Sequence, residues 1–401
     1  MNSENIKKIT NLRHELHRHP ELSMQERETA GIIVDFLQKN TSLTIHRRSG
    51  QFYARKRGSG SGALPPIAFR ADMDALPIPE TLDLPYGSLH EGISHKCGHD
   101  GHCAALCGLA LELDNIETDR DIYLLFQPGE ETGAGALLCR DLIREKGIGE
   151  IYAFHNLGGY PEGSIVYRRG LTQPASEGLR IRLTGRTSHA SAPEKGNNPA
   201  QALARIVLFA QRLTGRTGRT GKKEKAHGMC LCTITGIRLG SGDFGISPGE
   251  GEICMTLRAE AEEDLREMEK AVLDFSGETA SSCGLELSHS IHDYFPETRN
   301  HDACLDRVLD AAQRLCRIKK KPAIPMRELW RASEDFGYYL KECPGAMFYI
   351  GNGVDYPGLH TTGYDFNDRI LETAADLFLE LVNESAEITA PQSATQTRPR
   401  R

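Results

Sequence analysis

The stretch GISHKCGHDGHCAA, residues 92–105, decides how the chain is read. It places Cys97, His99, Asp100, His102 and Cys103 within a few positions of one another. A thiolate and an imidazole two residues apart, at the end of a Gly-rich loop, can face one cation. Cys sulfur and His nitrogen are borderline-soft donors that suit Zn and its first-row neighbours. Gly92 and Gly98 allow the backbone angles that a tight ligand loop requires. Downstream, Cys103, Leu106, Leu109, Ala110 and Leu113 recur at helical spacing, so the loop should lead into a buried helix. Asp100 stands where a helix N-cap would, a structural alternative to a chemical role. Taken alone, Cys97 and His99 are better described as a buried thiol beside an incidental His. The rest of the chain decides between these.

With 401 residues the chain exceeds one small core, and two domains are expected. Its 39% hydrophobic and 26% charged content is that of an ordinary soluble globular protein. A net charge of −7 argues against nucleic acid or an anionic membrane as the main partner. No apolar run approaches the roughly 20 residues of a membrane span. The N-terminal MNSENIKKITNLRHEL is polar and amphipathic, with no apolar signal core. Eleven scattered cysteines, an odd number, read as reduced thiols of a cytoplasmic protein.

Working outward, Ile6, Ile9, Leu12 and Leu16 predict an amphipathic helix over 4–19, ended by His19-Pro20. His14, His17 and His19 there are read as a solvated helix face, with metal binding as the alternative. A second helix is expected over 25–38. Short strands are expected at 44–47 and 52–56, then a turn at GSGSG (58–62). Ile67 to Ala71 reads as a buried strand that delivers Asp72 and Asp74 at its carboxyl end. That edge is where open α/β sheets collect ligands. IYLLFQ (122–127) is a continuous apolar run, as in a central parallel strand, and it ends in Pro128-Gly129-Glu130-Glu131. Two adjacent acids after a buried strand diverge in the turn, so one can bind metal while the other faces a water. A solvated loop pair is the plain alternative. A helix over 134–145 and a strand at 151–154 follow, the latter delivering His155-Asn156. Three strand ends thus hand potential ligands to one place.

From about Leu171 the pattern changes to period-two strands separated by helices. Strands near 179–183, 229–237, 252–259 and 285–292, with helices near 200–213 and 261–282, follow the β-α-β-β-α-β order of a ferredoxin-like domain. The basic turn at 215–225 is read as a solvated hairpin tip rather than an anion patch. The α/β pattern returns after Glu297, with helices near 301–317 and 369–381, a strand at 346–350 and a Gly-rich loop carrying Leu359-His360. Residues 390–401 lack apolar content and are expected to be a disordered tail. The expected organisation is a catalytic domain (1–172 and 296–389) interrupted by a lid and dimerisation domain (173–295). The fold class is α/β, a mostly parallel sheet flanked by helices, with a smaller ferredoxin-like α+β insertion.

In LRHELHRHPELSMQE (12–26), FRADMDALPI (69–78), HKCGHDGHCAAL (95–106), LLFQPGEETGAGA (124–136), HNLGGYPEG (155–163), SHASAPEKGNNP (188–199), ASEDFGYY (332–339) and GLHTTGYDF (358–366), the chain resembles the M20 family of metal-dependent amidohydrolases and peptidases. The resemblance is greatest to the branch of N-acyl-amino-acid deacylases, hippurate hydrolases and auxin-conjugate hydrolases. It implies five metal ligands, Cys97, His99, Glu131, His155 and His360, holding two divalent cations of Zn, Mn, Co or Ni type. It also implies that Glu130 is the general base, and that His189 on the lid approaches the active site of a partner subunit in a homodimer. Asp72 and Asp74 match strand-end acids of the family and are not assigned as ligands.

Two departures bear on specificity. The lid reads Thr187-Ser188-His189 and ends Pro193-Glu194, where the family has Pro-His. Gly245-Ile246-Ser247-Pro248 lacks the family's Asn. Arg258 matches a lid Arg suited to a substrate carboxylate, and a strand-surface role is its equal alternative. For His189 the plain alternative is a surface His capping the turn before Pro193. The expected reaction is hydrolysis of the amide of an N-acyl amino acid by a water activated between two metals. Dipeptide cleavage by the same chemistry is the rival. A cysteine hydrolase built on Cys97 leaves Glu130, Glu131, His155 and His360 without a role. A non-catalytic scaffold requires a ligand or Glu130 to be missing.

Overall fold

The computed structural model describes residues 1–48, 50–60, 64–214 and 228–387. The basic turn at 215–225 and the tail at 390–401 lie outside these, as does part of the 58–62 turn.

The strand Ile122–Gln127 shows why its sequence is apolar at every position. Ile122, Leu124 and Phe126 point into one hydrophobic cluster, and Tyr123 and Leu125 into another across the sheet. A strand covered on both faces has no solvent side to mark with polar residues. It pairs in parallel with Ile67–Asp72, which pairs in parallel with Glu150–Gly158, and that with Gly345–Gly353. Antiparallel Thr44–Arg48 and Gln51–Lys56 extend one edge, and Ile165–Tyr167 and Ala323–Pro325 the other, making eight strands.

The helices Ser3–Arg18, His99–Leu113, Asp302–Lys319 and Leu371–Glu387 cover one face, where Ile9, Leu106, Leu305 and Phe378 share a core. The opposite face carries Gly135–Cys139, Asp141–Lys146 and Gly337–Leu340. The expected helix at 134–145 is therefore two short ones with Arg140 at the joint. Among the parallel strands the chain order is second, first, third, fourth. The connections on either side of Ile67–Asp72 leave on opposite faces, which opens a crevice at the carboxyl ends of Ile67–Asp72 and Glu150–Gly158.

The insertion has its own sheet of Ala175–Thr184, Cys230–Leu239, Glu250–Ala259 and Glu286–Phe295, antiparallel throughout. The spatial order, with Ala175–Thr184 between the third and fourth strands, is that of a ferredoxin-like fold. Ala200–Ala210 and Glu262–Ser282 close a separate core around Leu179, Ile206, Ile253 and Val272. No helix among the described residues is long and apolar enough to cross a membrane.

Candidate metal centre

The opening stretch turns into helix His99–Leu113 through Gly98, which has φ +101°. A Cβ there would lie 2.5 Å from Asn156 Oδ1 and 2.8 Å from the Tyr364 hydroxyl, so both space and backbone angle demand glycine. The N-cap position falls on Gly98, not on Asp100. Asp100 sits in the first helical turn and its Oδ2 lies 2.7 Å from His17 Nδ1. The reading of His17 as part of a solvated face is corrected by the same contact. His17 is fully buried, with its Nε2 2.8 Å from Glu80. Helical periodicity could not reveal this, because the covering acids come from loops remote in sequence. Burial opposes charge on His17, but Asp100, Glu80 and Asp365 outweigh it and raise its pKa to about 9.

The side chains at the three strand ends converge with the 97–99 stretch and His360. His155 Nδ1 donates to its neighbour's carbonyl, Asn156 O, at 2.8 Å, which leaves Nε2 to face Cys97 Sγ at 3.5 Å. His360 Nε2 lies 3.3 Å from the same sulfur and 3.4 Å from Glu131 Oε1. His360 adopts a left-handed φ of +60°, uncommon for a side-chain-bearing residue, and its N–H donates to Lys96 O at 2.8 Å. His99 Nδ1 meets Asp74 Oδ1 at 3.1 Å, and its Nε2 points at Glu131 and Glu130, 3.8 and 3.9 Å away. Asp74 also accepts the Glu131 backbone N–H at 2.9 Å. One strand-end acid thus orients two members of the cluster, the role of a carboxylate behind a ligating His. Asp72 lies behind it, 2.5 Å from His102 Nδ1, while His102 Nε2 meets Asn156 Oδ1 at 2.7 Å.

Donor atoms of Cys97, His99 and His155 lie within 4.8 Å of one another, as do those of Cys97, Glu131 and His360. His99 Nε2 and Glu131 Oε1 are buried and have no hydrogen-bond partner among the described residues. Buried polar atoms are ordinarily satisfied. Here the two orphaned atoms belong to a sulfur, nitrogen and carboxylate donor set of the kind that holds borderline divalent cations. The residues present fit such ions. Glu130 is buried beside them, and burial together with Glu334, Glu131 and Asp335 pushes its carboxyl well up, against the pull of Arg70. Arg70 is itself buried and holds Asp72, Asp335 and Glu334 at 2.7, 2.9 and 3.1 Å.

A cavity of about 640 Å³ opens on the cluster and is lined by Cys97, Glu130, Glu131, His155 and His360. Arg258 reaches it from the insertion's Glu250–Ala259 strand, where Nη1 donates to Ser333 Oγ at 3.0 Å. Arg258 forms no ion pair among the described residues. His189 is not brought to this cavity within the chain. It is exposed on a two-residue strand beside Ile246, and its Nδ1 accepts from Ser191 N at 3.1 Å. Sequence reasoning did not single out Trp330, which also lines the cavity, or the part Ser333 plays beside Arg258. Trp330 lies in an irregular segment whose residues show no periodicity, so no local signal marked it.

Acids, thiol and imidazoles gathered at the switch point of a doubly wound sheet, beside a cavity sized for a small molecule, make a site suited to metal-assisted hydrolysis. The chain belongs to peptidase family M20/M25/M40, whose family model matches residues 68–384. It is 28% identical to a hippurate hydrolase of Campylobacter jejuni, over 92% of this chain and 94% of that protein. It is 30% identical to an N-acetyldiaminopimelate deacetylase of Bacillus cytotoxicus, over 94% and 97% respectively. The solved YXEP protein of Bacillus subtilis, described as a dinuclear metal binding peptidase from the M20 family, superposes with a TM-score of 0.79 at 26% identity, covering 96% of this chain and 99% of that one.

Proposed function

We propose that this protein hydrolyses the amide bond of N-acyl amino acids, releasing a carboxylate and the free amino acid. The observation that carries the reading is the convergence of Cys97, His99, Glu131, His155 and His360 with two buried donor atoms left without hydrogen bonds. In this reading those five residues hold two divalent cations. Bound there, the cations supply Lewis-acid polarisation of the amide carbonyl and activation of a water. Glu130 accepts the proton of the attacking water and delivers it to the leaving nitrogen. A carboxyl already pushed upward by burial and neighbouring acids is suited to both directions of transfer. Asp74 keeps the His99 ring and the Glu131 backbone in register. Arg258 receives the substrate carboxylate, being a partly buried cation with a hydroxyl neighbour and no acid of its own. Relatives named hippurate hydrolase and N-acetyldiaminopimelate deacetylase support the substrate class.

The division into a catalytic unit (1–172 and 296–389) and a lid (173–295) belongs to the same reading, as does a homodimer formed through the lid. Apolar residues on the lid's outer edge support the dimer: Phe244 is fully exposed, with Ile237, Leu239 and Ile246 exposed nearby. Ile246 pairs with His189, so a second copy seated on that edge would carry His189 away from its own chain's cavity. There His189 would stabilise the oxyanion of the partner's reaction. A cytoplasmic location is supported by eleven cysteines that are all free. The test is release of amino acid from acetyl-, benzoyl- and indolyl-amino acids by protein loaded with Zn, Mn, Co or Ni. Hydrolysis that chelation abolishes and metal restores is expected. Activity indifferent to chelation, or confined to dipeptides, would replace the reading.

A further inference from the structure

We propose that the cavity seats an aromatic acyl group against Trp330, and that Trp330 selects such groups over acetyl. This deepens the N-acyl amino acid reading and rests on it. Arg258 is the one Arg or Lys among the residues lining the cavity, so a substrate carboxylate has one corner to go to. The scissile amide must lie over Cys97, His155 and their neighbours. What remains of about 640 Å³ is walled by Leu157, Phe295, Trp330, Tyr356 and Leu359. An acetyl group would leave most of this apolar wall in water, whereas a ring covers it.

Trp330 is flanked by two edge-on rings. Its centroid lies 5.0 Å from that of His155 at 68°, and 5.4 Å from that of Tyr349 at 89°. Tyr349 is anchored in turn by its hydroxyl, which donates to Gln173 Oε1 at 3.1 Å. An indole clamped in this way loses little freedom when a second ring stacks on it, and that preorganisation favours binding. Its edge contact with His155 places the acyl wall beside the proposed donors.

Trp330 is the only tryptophan of the chain, so its emission reports occupancy of this wall directly. The metal-loaded protein is titrated with N-benzoylglycine and with N-acetylglycine, and kcat/KM is measured for both in the wild type, Trp330→Ala and Trp330→Phe. N-benzoylglycine should shift the emission and be preferred by about 10–100-fold. Trp330→Ala should remove most of that preference through KM for the benzoyl substrate, with kcat/KM for N-acetylglycine falling much less than that for N-benzoylglycine. Trp330→Phe, which keeps a ring against His155, should lower the preference only in part. A wild-type preference for acetyl, or a ratio unchanged in Trp330→Ala or Trp330→Phe, overturns the proposal while leaving the hydrolase reading intact. An emission shift with N-benzoylglycine in a protein that hydrolyses neither compound upholds the aromatic subsite and refutes the hydrolase reading instead. If Trp330→Ala loses its metal, Trp330→Phe alone decides, by the same ratio.

Discussion

Glu130 and Glu131 are neighbours in sequence with different surroundings. Glu131 turns an oxygen with no hydrogen-bond partner toward His99 and His360, while Glu130 is set among Glu334, Asp335 and Arg70. Glu130→Gln keeps the shape of the site and removes the proton acceptor. Turnover should fall by about 10²–10⁴ with metal stoichiometry unchanged. A Glu130→Gln protein with near-normal turnover and full metal would contradict the proposed base. Cys97 offers a check that needs no substrate. Burial and the nearby Glu131 and Glu130 push its thiol well up, whereas coordination would hold it as a thiolate shielded by the ion. Alkylation at Cys97 should be slow in the metal-loaded protein and faster after chelation, read by peptide mass spectrometry. Equal labelling in both states would remove it from the ligand set. Cys103 and Cys107, buried on the helix that follows, should resist labelling in either state.

Among the elements, helix Ser3–Arg18 contributes more than a face for the core. Its Arg13 reaches Asp365 and Asp368 at 2.9 and 2.7 Å, and His17 bridges Asp100 and Glu80. Lys96, next to Cys97, completes the tie with Glu80 at 2.7 Å and the Tyr364 carbonyl at 2.8 Å. The donor loop is thus clipped from behind to the first helix and to the loop after His360. His17 also faces the rings of Tyr86 and His95. Its pKa is raised from 6.5 to about 9, so its charge adds stability in full below about pH 6.5. That contribution is lost as pH rises through about 9. His17→Gln should cost about 3 kcal/mol near pH 6 and progressively less toward pH 9.5, measured as denaturation midpoints of both proteins across that range. A deficit independent of pH would mean that His17 is neutral in the native protein.

At the scale of the whole molecule, the proposed dimer bears on whether one subunit contains a complete site. His189 lies outside the cavity that holds Glu130, on an exposed strand flanked by apolar residues. His189→Ala should leave metal binding intact and lower turnover by about 10²–10³, as for loss of one oxyanion donor. Mixing His189→Ala subunits with Glu130→Gln subunits, each inactive, should then restore activity, because half the sites of a mixed dimer hold both native groups. Verified heterodimers without activity would refute a cross-subunit role. Phe244→Ser should weaken the proposed dimer, read by sedimentation, and lower activity in proportion, read by turnover.

Period and punctuation in the chain sufficed for the layer pattern. The two-sided apolar run at 122–127, the strand-end acids at 72 and 74 and the period-two strands after Leu171 all follow from which faces must be buried. Strand ends and Gly-rich turns marked the acids at 130 and 131 and His155 as candidates meeting near Cys97 and His99, whereas the choice of 97, 99, 131, 155 and 360 as a set came only from the family resemblance. Tertiary structure alone decided who stands behind them. Asp74 orients His99, Asp100 pairs with His17, and Trp330 lies edge-on to His155, contacts between residues 25, 83 and 175 apart in the chain. Such pairings depend on how the sheet and its loops close in space, and no local pattern encodes a partner that distant. His189 follows the same logic one level higher, since the family resemblance proposes a role for it while the fold of a single chain leaves it outside the cavity.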